Sequence, residues 1–369
     1  MAGLYIHIPF CHSKCSYCDF YSMPHTADIG KYIDALLTEW KMRQGEIQEP
    51  FTTIYIGGGT PSILPLDDIK RLIRGIGIIN PAEFTVEANP EDVTPEWVQC
   101  IKECGVNRVS IGIQSFSDDE LNRINRRHTG DEAENALETL REGGIGNISA
   151  DLIYGLPGQT IDSWQLSLDR LVATGVEHIS AYSLSYEPGT RLHAMLSTGK
   201  IKETDEDTVS EMYRRLTDSL RKAGYEHYEI SNFALPGRRA IHNSSYWHFI
   251  PYLGLGTAAH SFDGKTRRAN RRGIKAYISD IMSGKTFYDI EDENPDELYN
   301  DYIITSLRTA EGIDKRHFAG CFGDKALTDL RRDASAFLRS GKMMETPDSL
   351  FITEESFLIS DSILVELIH

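Results

Sequence analysis

The chain has 369 residues, of which 40% are hydrophobic and 25% charged, and these proportions exclude a disordered or collagen-like protein. Its 38 Lys and Arg against 55 Asp and Glu give a formal net charge of −17 at pH 7. So acidic a composition argues against bulk binding to nucleic acid or to an anionic membrane, although a local basic patch and transient membrane contact stay open. The sequence has no apolar run of about eighteen residues and no signal-peptide pattern at its start. We therefore expect a soluble cytoplasmic protein of two or three domains.

Short runs rich in β-branched residues alternate with helical patterns over the first two-thirds of the chain. Strands are predicted at residues 3–8, 52–56, 84–87, 108–114, 149–154 and 178–184. Helices are predicted after them, at residues 29–41, 67–76, 94–104, 118–141, 163–173 and 205–223. Thr94 and Asp118 are suited to cap two of these helices, and Gly105 and Gly143 follow helix ends. Six strand-then-helix units predict parallel strands with right-handed crossovers, and hence an α/β fold, either an open doubly wound sheet or a partial barrel.

The pattern changes after about residue 230, where a glycine- and aromatic-rich stretch begins. Residues 246–256 are followed by a basic segment at 265–272 and by an acidic, proline-containing stretch at 289–295 that is typical of a linker. The remainder is mostly helical and ends in two short apolar runs, 350–353 and 356–359, which predict strands. We therefore expect three regions: a core barrel at 1–235, an extension packing on it at 236–288, and a small α+β, winged-helix-like domain at 289–369.

Three of the six cysteines fall within one eight-residue window directly after the first predicted strand. The cysteines are too sparse for a disulfide-stapled fold, so this cluster predicts metal binding or redox chemistry. Cys11, Cys15 and Cys18 form a C-x3-C-x2-C run, which can bind three irons of a [4Fe–4S] cube and leave one iron open for a small molecule. The alternative is structural zinc, with a fourth ligand from His7, His12 or His25. Zinc motifs usually place two ligand pairs apart in sequence, and this chain has no suitable second pair, so the cluster is favoured.

A further cysteine pair, Cys100 and Cys104, lies one turn apart on the predicted helix at 94–104. Free cysteine behaves in proteins as a small hydrophobic residue. We therefore expect this pair to belong to the packed face of its helix.

Polar residues and glycines follow the predicted strands at one end. The sequence GGGTP at residues 57–61 follows the second strand, and its bare backbone can approach a ligand closely. The third strand carries Glu87, the fourth ends at Gln114 and the fifth carries Asp151. Each of these could instead cap a helix or join an ion pair. Because the carboxyl ends of parallel strands meet at one edge of a βα-barrel, their convergence predicts a functional site there.

The combined motifs resemble the radical S-adenosylmethionine (SAM) superfamily. They are YIHIPF before the cysteine run, then GGGTP, EANP, IGIQSF and DLIYGLPGQT. More narrowly, the chain resembles the branch that contains oxygen-independent coproporphyrinogen III oxidase and the HemW heme chaperones. The resemblance extends over nearly the whole chain, through GLGTAAHS into the C-terminal region. It implies a partial (β/α)6 barrel, which agrees with the six predicted units.

This resemblance also implies cofactors and the residues that hold them. Cys11, Cys15 and Cys18 would hold a [4Fe–4S] cluster, and the methionine amine and carboxylate of SAM would cap its open iron. The glycine turn would receive the methionyl amine, and the guanidinium of Arg126 suits a carboxylate. Ser183 and Ala259 match the family pattern less closely. The implied SAM contacts are Tyr5, Tyr17, Gly58, Gly59, Thr60, Glu87, Gln114, Arg126 and Asp151.

Two departures favour the chaperone over the oxidase. The oxidase pattern follows its third cluster cysteine with C-x-C, whereas this chain has Cys18-Asp19-Phe20. The oxidase also carries an N-terminal arm ahead of the cluster loop, and here Cys11 comes soon after the first residue. Both differences are expected of a HemW-like protein.

A third feature concerns heme. The sequence HNSSYW at residues 242–247 matches the HNxxYW motif that the resemblance associates with heme binding. Histidine can ligate heme iron and aromatic rings can pack on a porphyrin, so His242 is a candidate heme contact. The alternative is an aromatic core strand with a hydrogen-bonded histidine. Arginines 267, 268, 271 and 272 could meet heme propionates, although a solvated basic face is the favoured interpretation.

Three functions follow from these patterns. The first is a HemW-like heme chaperone that carries a [4Fe–4S] cluster and SAM and passes heme to apo-hemoproteins; no catalytic residue is assigned. The second is a radical SAM enzyme that oxidatively decarboxylates a coproporphyrinogen, and the third is a protein with a structural zinc loop. The sequence leaves open whether SAM is cleaved, and therefore whether the chain is an enzyme.

Overall fold

The computed structural model describes residues 1–24, 28–291 and 295–369. Its first part runs β1 (Ala2–Ile8), α1 (Ile29–Arg43), β2 (Phe51–Gly58), α2 (Leu66–Ile76), β3 (Glu83–Ala88), α3 (Pro95–Glu103), β4 (Arg108–Gln114), α4 (Asp118–Arg123), α5 (Gly130–Glu142), β5 (Ile148–Tyr154), α6 (Ile161–Thr174), β6 (His178–Ser183), α7 (Arg191–Ser197) and α8 (Glu206–Lys222). The predicted alternation of six strands with helices is therefore confirmed.

The second part adds short strands and helices. It runs β7 (Glu226–Glu229), β8 (Asn232–Ala234), α9 (Ile241–Trp247), β9 (Tyr252–Leu255), β10 (His260–Phe262), β11 (Arg267–Asn270), α10 (Ile274–Met282), β12 (Tyr288–Glu291), α11 (Pro295–Leu307), β13 (Ile313–Asp314), α12 (Lys315–Phe322), α13 (Asp324–Asp333), α14 (Ser335–Ser340), β14 (Met343–Glu345), β15 (Ser349–Ile352) and α15 (Ser360–Val365). None of the described helices combines the length and apolarity that a membrane crossing needs. The region boundaries stay predictions, and part of the predicted linker (292–294) lies outside the described residues.

One large sheet forms the centre of the molecule. Its strands lie in the order β12-β11-β10-β9-β1-β2-β3-β4-β5-β6-β8-β7, and β1 to β6 pair in parallel in chain order. These six strands are buried along almost their whole length, as expected when helices cover one face of a parallel sheet and side chains fill the other. The structure is thus the partial (β/α)6 barrel of the prediction. A separate antiparallel sheet, β13-β15-β14, belongs to the C-terminal region.

One prediction about the helices is wrong. Residues 118–141 form two helices, α4 and α5, and the left-handed residue Asn125 (φ 62°) lies between them. Ser117, not Asp118, is the N-cap residue of α4, because the Asp118 carboxylate instead accepts a hydrogen bond from the Gly130 N–H at the start of α5 (2.9 Å). The connection between the two helices carries Arg126, so this break positions a predicted site residue.

A predicted C-terminal strand is also wrong. Residues 356–359 belong to a 3-10 helix, Glu354–Ile359, because the Ser356 N–H donates to the nearby Thr353 carbonyl (2.8 Å) in place of a sheet partner. One other expectation is confirmed, since Thr94 caps α3 by accepting from the Trp97 N–H (3.2 Å). The expectation for the second cysteine pair holds for Cys100, which is buried on the packed face of α3, whereas Cys104 is half-buried directly after the end of that helix.

A buried ion pair holds the added strands β9 to β11 against α1. Arg43 and Glu39 lie one turn apart on α1, both are at most 2% exposed, and Arg43 Nη1 donates to Glu39 Oε1 at 2.8 Å. Their remaining polar atoms bond to the Gly254 carbonyl (3.2 Å), the Asn270 amide (3.3 Å), Ser261 Oγ (3.1 Å), the Gly256 N–H (2.8 Å) and the Tyr277 hydroxyl (2.6 Å). The pair thus satisfies backbone groups in β9 and directly after it that would otherwise be buried without a partner.

Arg43→Met should destabilise the protein strongly, because it leaves the Glu39 carboxylate buried without its counter-ion. We expect a loss of about 3–5 kcal/mol in the free energy of unfolding, measured by urea denaturation followed by circular dichroism. Arg71→Met is the matched control, since Arg71 is 38% exposed and pairs with Asp34 and Asp68 at the surface. That change should cost at most about 1 kcal/mol. Equal losses in the two variants would contradict the role given to the buried pair.

Candidate functional site

The predicted cluster cysteines lie on a closed loop, the cysteine loop (residues 11–22), at the carboxyl end of β1. The loop is closed at its base by two backbone hydrogen bonds, from the Cys11 N–H to the Met23 carbonyl (3.2 Å) and from the Met23 N–H to the Pro9 carbonyl (2.8 Å). A third bond joins the Ser16 N–H to the Ile124 carbonyl (2.9 Å). Cys11 is buried, Cys15 and Cys18 are half-buried, and all three are free thiols. The loop is therefore fixed to the sheet and to the connection after α4.

The glycine turn (residues 57–61) packs directly on the start of the cysteine loop. The Gly59 N–H donates to the Ile8 carbonyl (2.8 Å) and the Thr60 N–H to the Phe10 carbonyl (2.7 Å). The Thr60 hydroxyl donates to Cys11 Sγ at 3.4 Å. A Cβ at Gly59 would lie 2.6 Å from the Phe10 carbonyl oxygen, and Gly58 has a φ of 107°. The turn therefore requires glycine, as a strand-end cradle for a ligand would.

Glu87 faces the glycine turn from β3. Its carboxylate accepts hydrogen bonds from the Gly58 N–H (2.9 Å) and from the Tyr55 hydroxyl (2.7 Å). Burial raises the pKa of Glu87 above its usual value. Sequence reasoning missed Tyr55, although its place in the predicted strand directly before the glycine turn was a usable signal.

Arg126 joins the cysteine loop to the ends of β3 and β4. Its guanidinium donates to Cys15 Sγ (3.6 Å), to Asn89 Oδ1 (3.0 Å) and to the Gly112 carbonyl. Burial lowers the pKa of Arg126, but Tyr17 and Cys15 outweigh that effect and raise it, so the group stays charged. Its Nε has no hydrogen-bond acceptor among the described residues, which is the observation expected of a group aimed at a ligand.

Gln114, a further predicted residue, and Asn89 lie beside Arg126. A Cβ at Gly112 would lie 2.9 Å from Gln114 Nε2 and 3.4 Å from Arg126 Nη2, so both side chains pass over this glycine. Gln114 is buried and adopts a left-handed backbone (φ 68°), an uncommon conformation typical of functional sites. Asn89, which sequence reasoning missed, bonds to both Arg126 and Thr60. It comes two residues after Glu87 in EANP, directly after the end of β3, and that position was its only signal.

Asp151, Tyr5 and Tyr17 are the last residues of the predicted set, and Tyr17 packs against a buried cluster that includes Ile124. Ser110 Oγ lies 3.4 Å from both carboxylate oxygens of Asp151, and burial raises the pKa of Asp151 to about 7. The Tyr5 hydroxyl bonds to His7 Nδ1 at 2.9 Å. Ser183 is exposed at the end of β6, whereas Ala259 is buried and its carbonyl accepts from the Asn270 N–H (2.8 Å).

The donor set of the cysteine loop fits a polynuclear cluster better than a single ion. No three His, Cys, Asp or Glu side chains within residues 1–24, 28–291 and 295–369 form a group that could hold one metal ion. A [4Fe–4S] cube takes each thiolate on a different iron, so its ligands do not need to converge on one point. Burial raises the pKa of Cys18 to about 11, and nearby thiols add to this effect. Positive charge at the loop would therefore be needed to keep the three sulfurs ionised together.

The histidines proposed for the zinc alternative do not support it. His7 uses both ring nitrogens, one with Tyr5 and the other with the Tyr21 carbonyl (2.9 Å). His12 Nε2 lies 3.5 Å from an Asp92 carboxylate oxygen. His25 lies outside the described residues.

The structure places His242 in the core of the molecule. It lies on helix α9, not on a strand, and is 1% exposed. Its ring nitrogens bond to Thr53 Oγ1 (2.8 Å) and the Tyr246 hydroxyl (2.9 Å), and its ring stacks on Tyr55 at 5.3 Å. Burial lowers the pKa of His242 to about 3. Direct ligation of heme iron would therefore require breaking one of these hydrogen bonds and exposing the ring.

The basic segment is largely neutralised. Arg267 pairs with Asp301 (2.7 Å) and Arg268 with Asp263 (2.9 Å). Arg272 instead lines a cavity of about 300 Å³ together with Tyr5, Tyr246 and other residues. The segment is thus mainly an ion-paired surface, and one of its arginines faces the neighbourhood of the cysteine loop.

Comparisons with known proteins agree with this geometry. The radical SAM superfamily matches residues 5–171, and this family implies a [4Fe–4S] cluster and SAM. The heme chaperone HemW of Bacillus subtilis (strain 168) is 34% identical over 98% of each chain, and that of Lactococcus lactis is 38% identical over 74% of this chain and 73% of its own. Coproporphyrinogen III oxidase (HemN) from Escherichia coli has the same fold, with a TM-score of 0.85 over 99% of this chain and 89% of its own at 22% identity.

The resemblance predicted from the motifs is therefore confirmed. Extended similarity to the HemW proteins at more than 30% identity covers both the barrel and the C-terminal region. The chain belongs to the radical SAM superfamily and, within its HemN-like branch, to the HemW family.

Proposed function

We propose that this protein binds heme and transfers it to apo-hemoproteins, while its barrel carries a [4Fe–4S] cluster and SAM. The observation that carries the proposal is the similarity to HemW of Bacillus subtilis over 98% of both chains. Phe20, which occupies the position of the extra cysteine in the oxidase pattern, supports the same choice. A cytoplasmic location is proposed on the sequence argument alone.

Cys11, Cys15 and Cys18 are the proposed cluster ligands. The Thr60 hydroxyl and the Arg126 guanidinium donate to two of these sulfurs, and such bonds stabilise negative charge on sulfur. When bound, the cluster supplies an iron with an open coordination position for SAM. The protein's own contribution is to fix the loop, through its bonds to the glycine turn and to Ile124.

The proposed SAM contacts surround this loop. The glycine turn presents a backbone without side chains, and Glu87 and Asp151 offer carboxylates to the polar and cationic groups of SAM. The unsatisfied Nε of Arg126 and the amide of Gln114 are donors suited to a carboxylate. Tyr5 and Tyr17 would bound the ligand on either side.

We propose that His242 supports heme binding through the segment it belongs to. Its hydrogen bonds to Thr53 and Tyr246 hold the sequence HNSSYW (residues 242–247) against the barrel. Trp247, at the other end of that segment, is half-buried and available for contact.

The oxidase is the second candidate function. The observation behind it is the similarity in fold to HemN. At 22% identity, that similarity shows only a shared fold and not a shared reaction. Phe20 argues against the oxidase, because the oxidase pattern has a cysteine at that position. The two candidates differ in substrate, because one holds heme unchanged and the other converts a porphyrinogen.

Substituting any one of the three cluster cysteines should abolish cluster assembly. After anaerobic reconstitution, the wild-type protein should contain about four irons and four sulfides per chain, measured by iron and acid-labile sulfide analysis. Cys11→Ser, Cys15→Ser and Cys18→Ser should each lose most of both. Cys104→Ser is the control, because this half-buried cysteine lies on another element. Stoichiometric zinc with little iron in the wild type would contradict the cluster.

Gly59→Ala should weaken SAM binding to the reconstituted protein. The added Cβ would meet the Phe10 and Ile8 carbonyl oxygens at 2.6 and 2.7 Å, so the glycine turn must shift away from the cysteine loop. We expect a loss of roughly 1–3 kcal/mol, measured by isothermal titration calorimetry. Gly146→Ala serves as the control, because a Cβ there has no atom within 4 Å. Unchanged SAM affinity in Gly59→Ala would show that the turn does not hold the ligand.

Heme titrated into the anaerobically reconstituted protein should give a Soret band that saturates near one heme per chain. No saturable binding, together with conversion of coproporphyrinogen III under reducing conditions, would overturn the chaperone and favour the oxidase.

The same heme titration tests whether His242 contributes to heme binding. His242→Ala should reduce heme affinity and also lower the thermal midpoint, because two buried hydrogen bonds are lost. Heme affinity equal to that of the wild type would show that this histidine has no part in binding.

A further inference from the structure

Strands β3 and β4 alternate between apolar and polar residues, although both strands are almost entirely buried. In β3, Phe84 and Val86 belong to the apolar core, whereas Glu83, Thr85 and Glu87 do not. Buried strands of parallel sheets usually consist of continuous apolar runs, and barrel interiors are usually filled by branched apolar residues. Because successive residues of a strand point to opposite faces, the polar residues line the inside of this barrel, its lumen.

Arg108 lies in this lumen at the start of β4, paired in register with Thr85. Its side chain is 1% exposed. Its Nε lies 4.0 Å from Glu83 Oε2, beyond hydrogen-bond distance, and neither Nε nor Nη2 has an acceptor among the described residues. The Glu83 carboxylate accepts instead from two backbone N–H groups at the start of α9. Burying a charge without hydrogen bonds is costly, so the placement of Arg108 indicates an electrostatic function.

Asp151 faces the same lumen from β5. Ser110 Oγ lies 3.4 Å from both of its carboxylate oxygens, and Ser110 follows Arg108 by two residues, on the same face of β4. Ser180 on β6 adds a further side-chain hydrogen bond. Burial and the charge of Glu87 raise the pKa of Asp151 to about 7, whereas Arg108 and the two serines oppose this rise. Arg108 therefore supplies the positive charge in this balance.

The other titratable groups around Asp151 are neutral or acidic in the described part of the chain, apart from one arginine above the lumen. The phenols are uncharged at neutral pH, and burial lowers the pKa of the imidazoles, so these are uncharged as well. The carboxyl groups of Glu83, Glu87 and Glu229 disfavour a further negative charge. Arg126 lies at the far end of the strands, where it donates to the Gly112 carbonyl and to the cysteine loop. The phenols are those of Tyr5 on β1, Tyr55 on β2 and Tyr182 on β6, and the imidazoles are those of His178 on β6 and His242 on α9.

We infer that Arg108 is a positioning residue of the SAM site, whose charge in the lumen keeps the Asp151 carboxylate able to ionise near neutral pH. The inference rests on the proposed function, in which Asp151 is a SAM contact, and it names the residue that maintains this contact. An ionised carboxylate accepts hydrogen bonds at both oxygens, whereas a protonated acid loses part of that capacity. Arg108 begins β4 and Gln114 ends it, so Arg108 acts on SAM through Asp151 and not by contact.

The test is a calorimetric SAM titration of the anaerobically reconstituted protein from about pH 6 to about pH 9. The methionyl amine of SAM titrates in the same range, so each profile is compared with that of Asp151→Asn, which lacks only the carboxylate. Wild-type affinity relative to Asp151→Asn should fall as the pH drops through about 7. Arg108→Met should move this fall to higher pH by about one unit, which is about a fivefold loss of affinity at pH 7. Arg108→Lys keeps the charge and should keep the wild-type profile.

Two further variants separate the charge of Arg108 from its packing. Arg108→Gln is measured beside Arg108→Met, with circular dichroism of each, so that the test does not depend on one neutral variant folding. Thr85→Val is the matched control, because Thr85 is buried opposite Arg108, is uncharged and has no hydrogen-bond partner for its hydroxyl among the described residues. It should keep the wild-type pH profile.

An infrared pH titration measures the Asp151 carboxyl without SAM. The difference spectrum between the wild type and Asp151→Asn should contain a protonated-carboxyl band that titrates near pH 7. The same band should titrate at higher pH in Arg108→Met and Arg108→Gln. The pKa of Glu229 is also raised to about 7 by burial, but its band is present in both spectra and cancels in the difference.

The outcomes separate this inference from the proposed function. If the wild type binds no SAM at any pH, the proposed SAM site fails, and the infrared titration still decides whether Arg108 controls Asp151. If SAM binds and the folded neutral variants keep the wild-type profile, the inference is wrong while SAM binding stands. A shift in Thr85→Val as large as that in Arg108→Met would also overturn it, because altered packing and not charge would then be the cause.

Discussion

The candidate site depends on two backbone hydrogen bonds between the ends of neighbouring strands. They join Gly59 to the Ile8 carbonyl (2.8 Å) and Thr60 to the Phe10 carbonyl (2.7 Å). Because Cys11 follows Phe10 directly, these bonds fix the first of the three proposed cluster cysteines to the turn that lies beside it. Side chains at Gly58 or Gly59 would collide with His7 or with the same carbonyls, so the contact is available only to glycine. The remaining polar groups are arranged around this junction.

Much of the fold and the centre of the site could be predicted from the sequence, because both rest on local patterns. The periodicity of hydrophobic residues predicts the alternation of strands and helices, and the length of the connections between strands predicts that the strands pair in parallel. The positions of Glu87, Gln114 and Asp151 at or near strand ends then follow from topology alone. The cysteine run needs no tertiary information either, because its three thiols lie on one short loop.

The remaining features depend on tertiary contacts that a local pattern does not contain. The break between α4 and α5 arises because Asp118 bonds to Gly130, twelve residues away. Arg126 lies in this break, and its guanidinium therefore reaches Cys15 Sγ. Asn89 was missed for the same reason, since its importance comes from partners on two other segments. His242 matched a motif, but its burial and its bond to Thr53 depend on a strand that lies far away in sequence. A motif identifies a segment, whereas packing decides which of its side chains face a ligand.

Helix α9 illustrates how this packing can relate two sites. It has seven residues, and its first N–H groups donate to the buried Glu83 carboxylate at 2.8 and 2.9 Å, which anchors it to β3. On the buried side of α9, the His242 ring stacks on Tyr55. The Tyr55 hydroxyl donates to Glu87, and the Glu87 carboxylate accepts from the Gly58 N–H of the glycine turn. From the other end of α9, Trp247 lines a cavity of about 650 Å³. The glycine turn and this cavity thus lie at opposite ends of one continuous set of packed residues. If each bound a ligand, any coupling of the two affinities through that set would be equal in both directions.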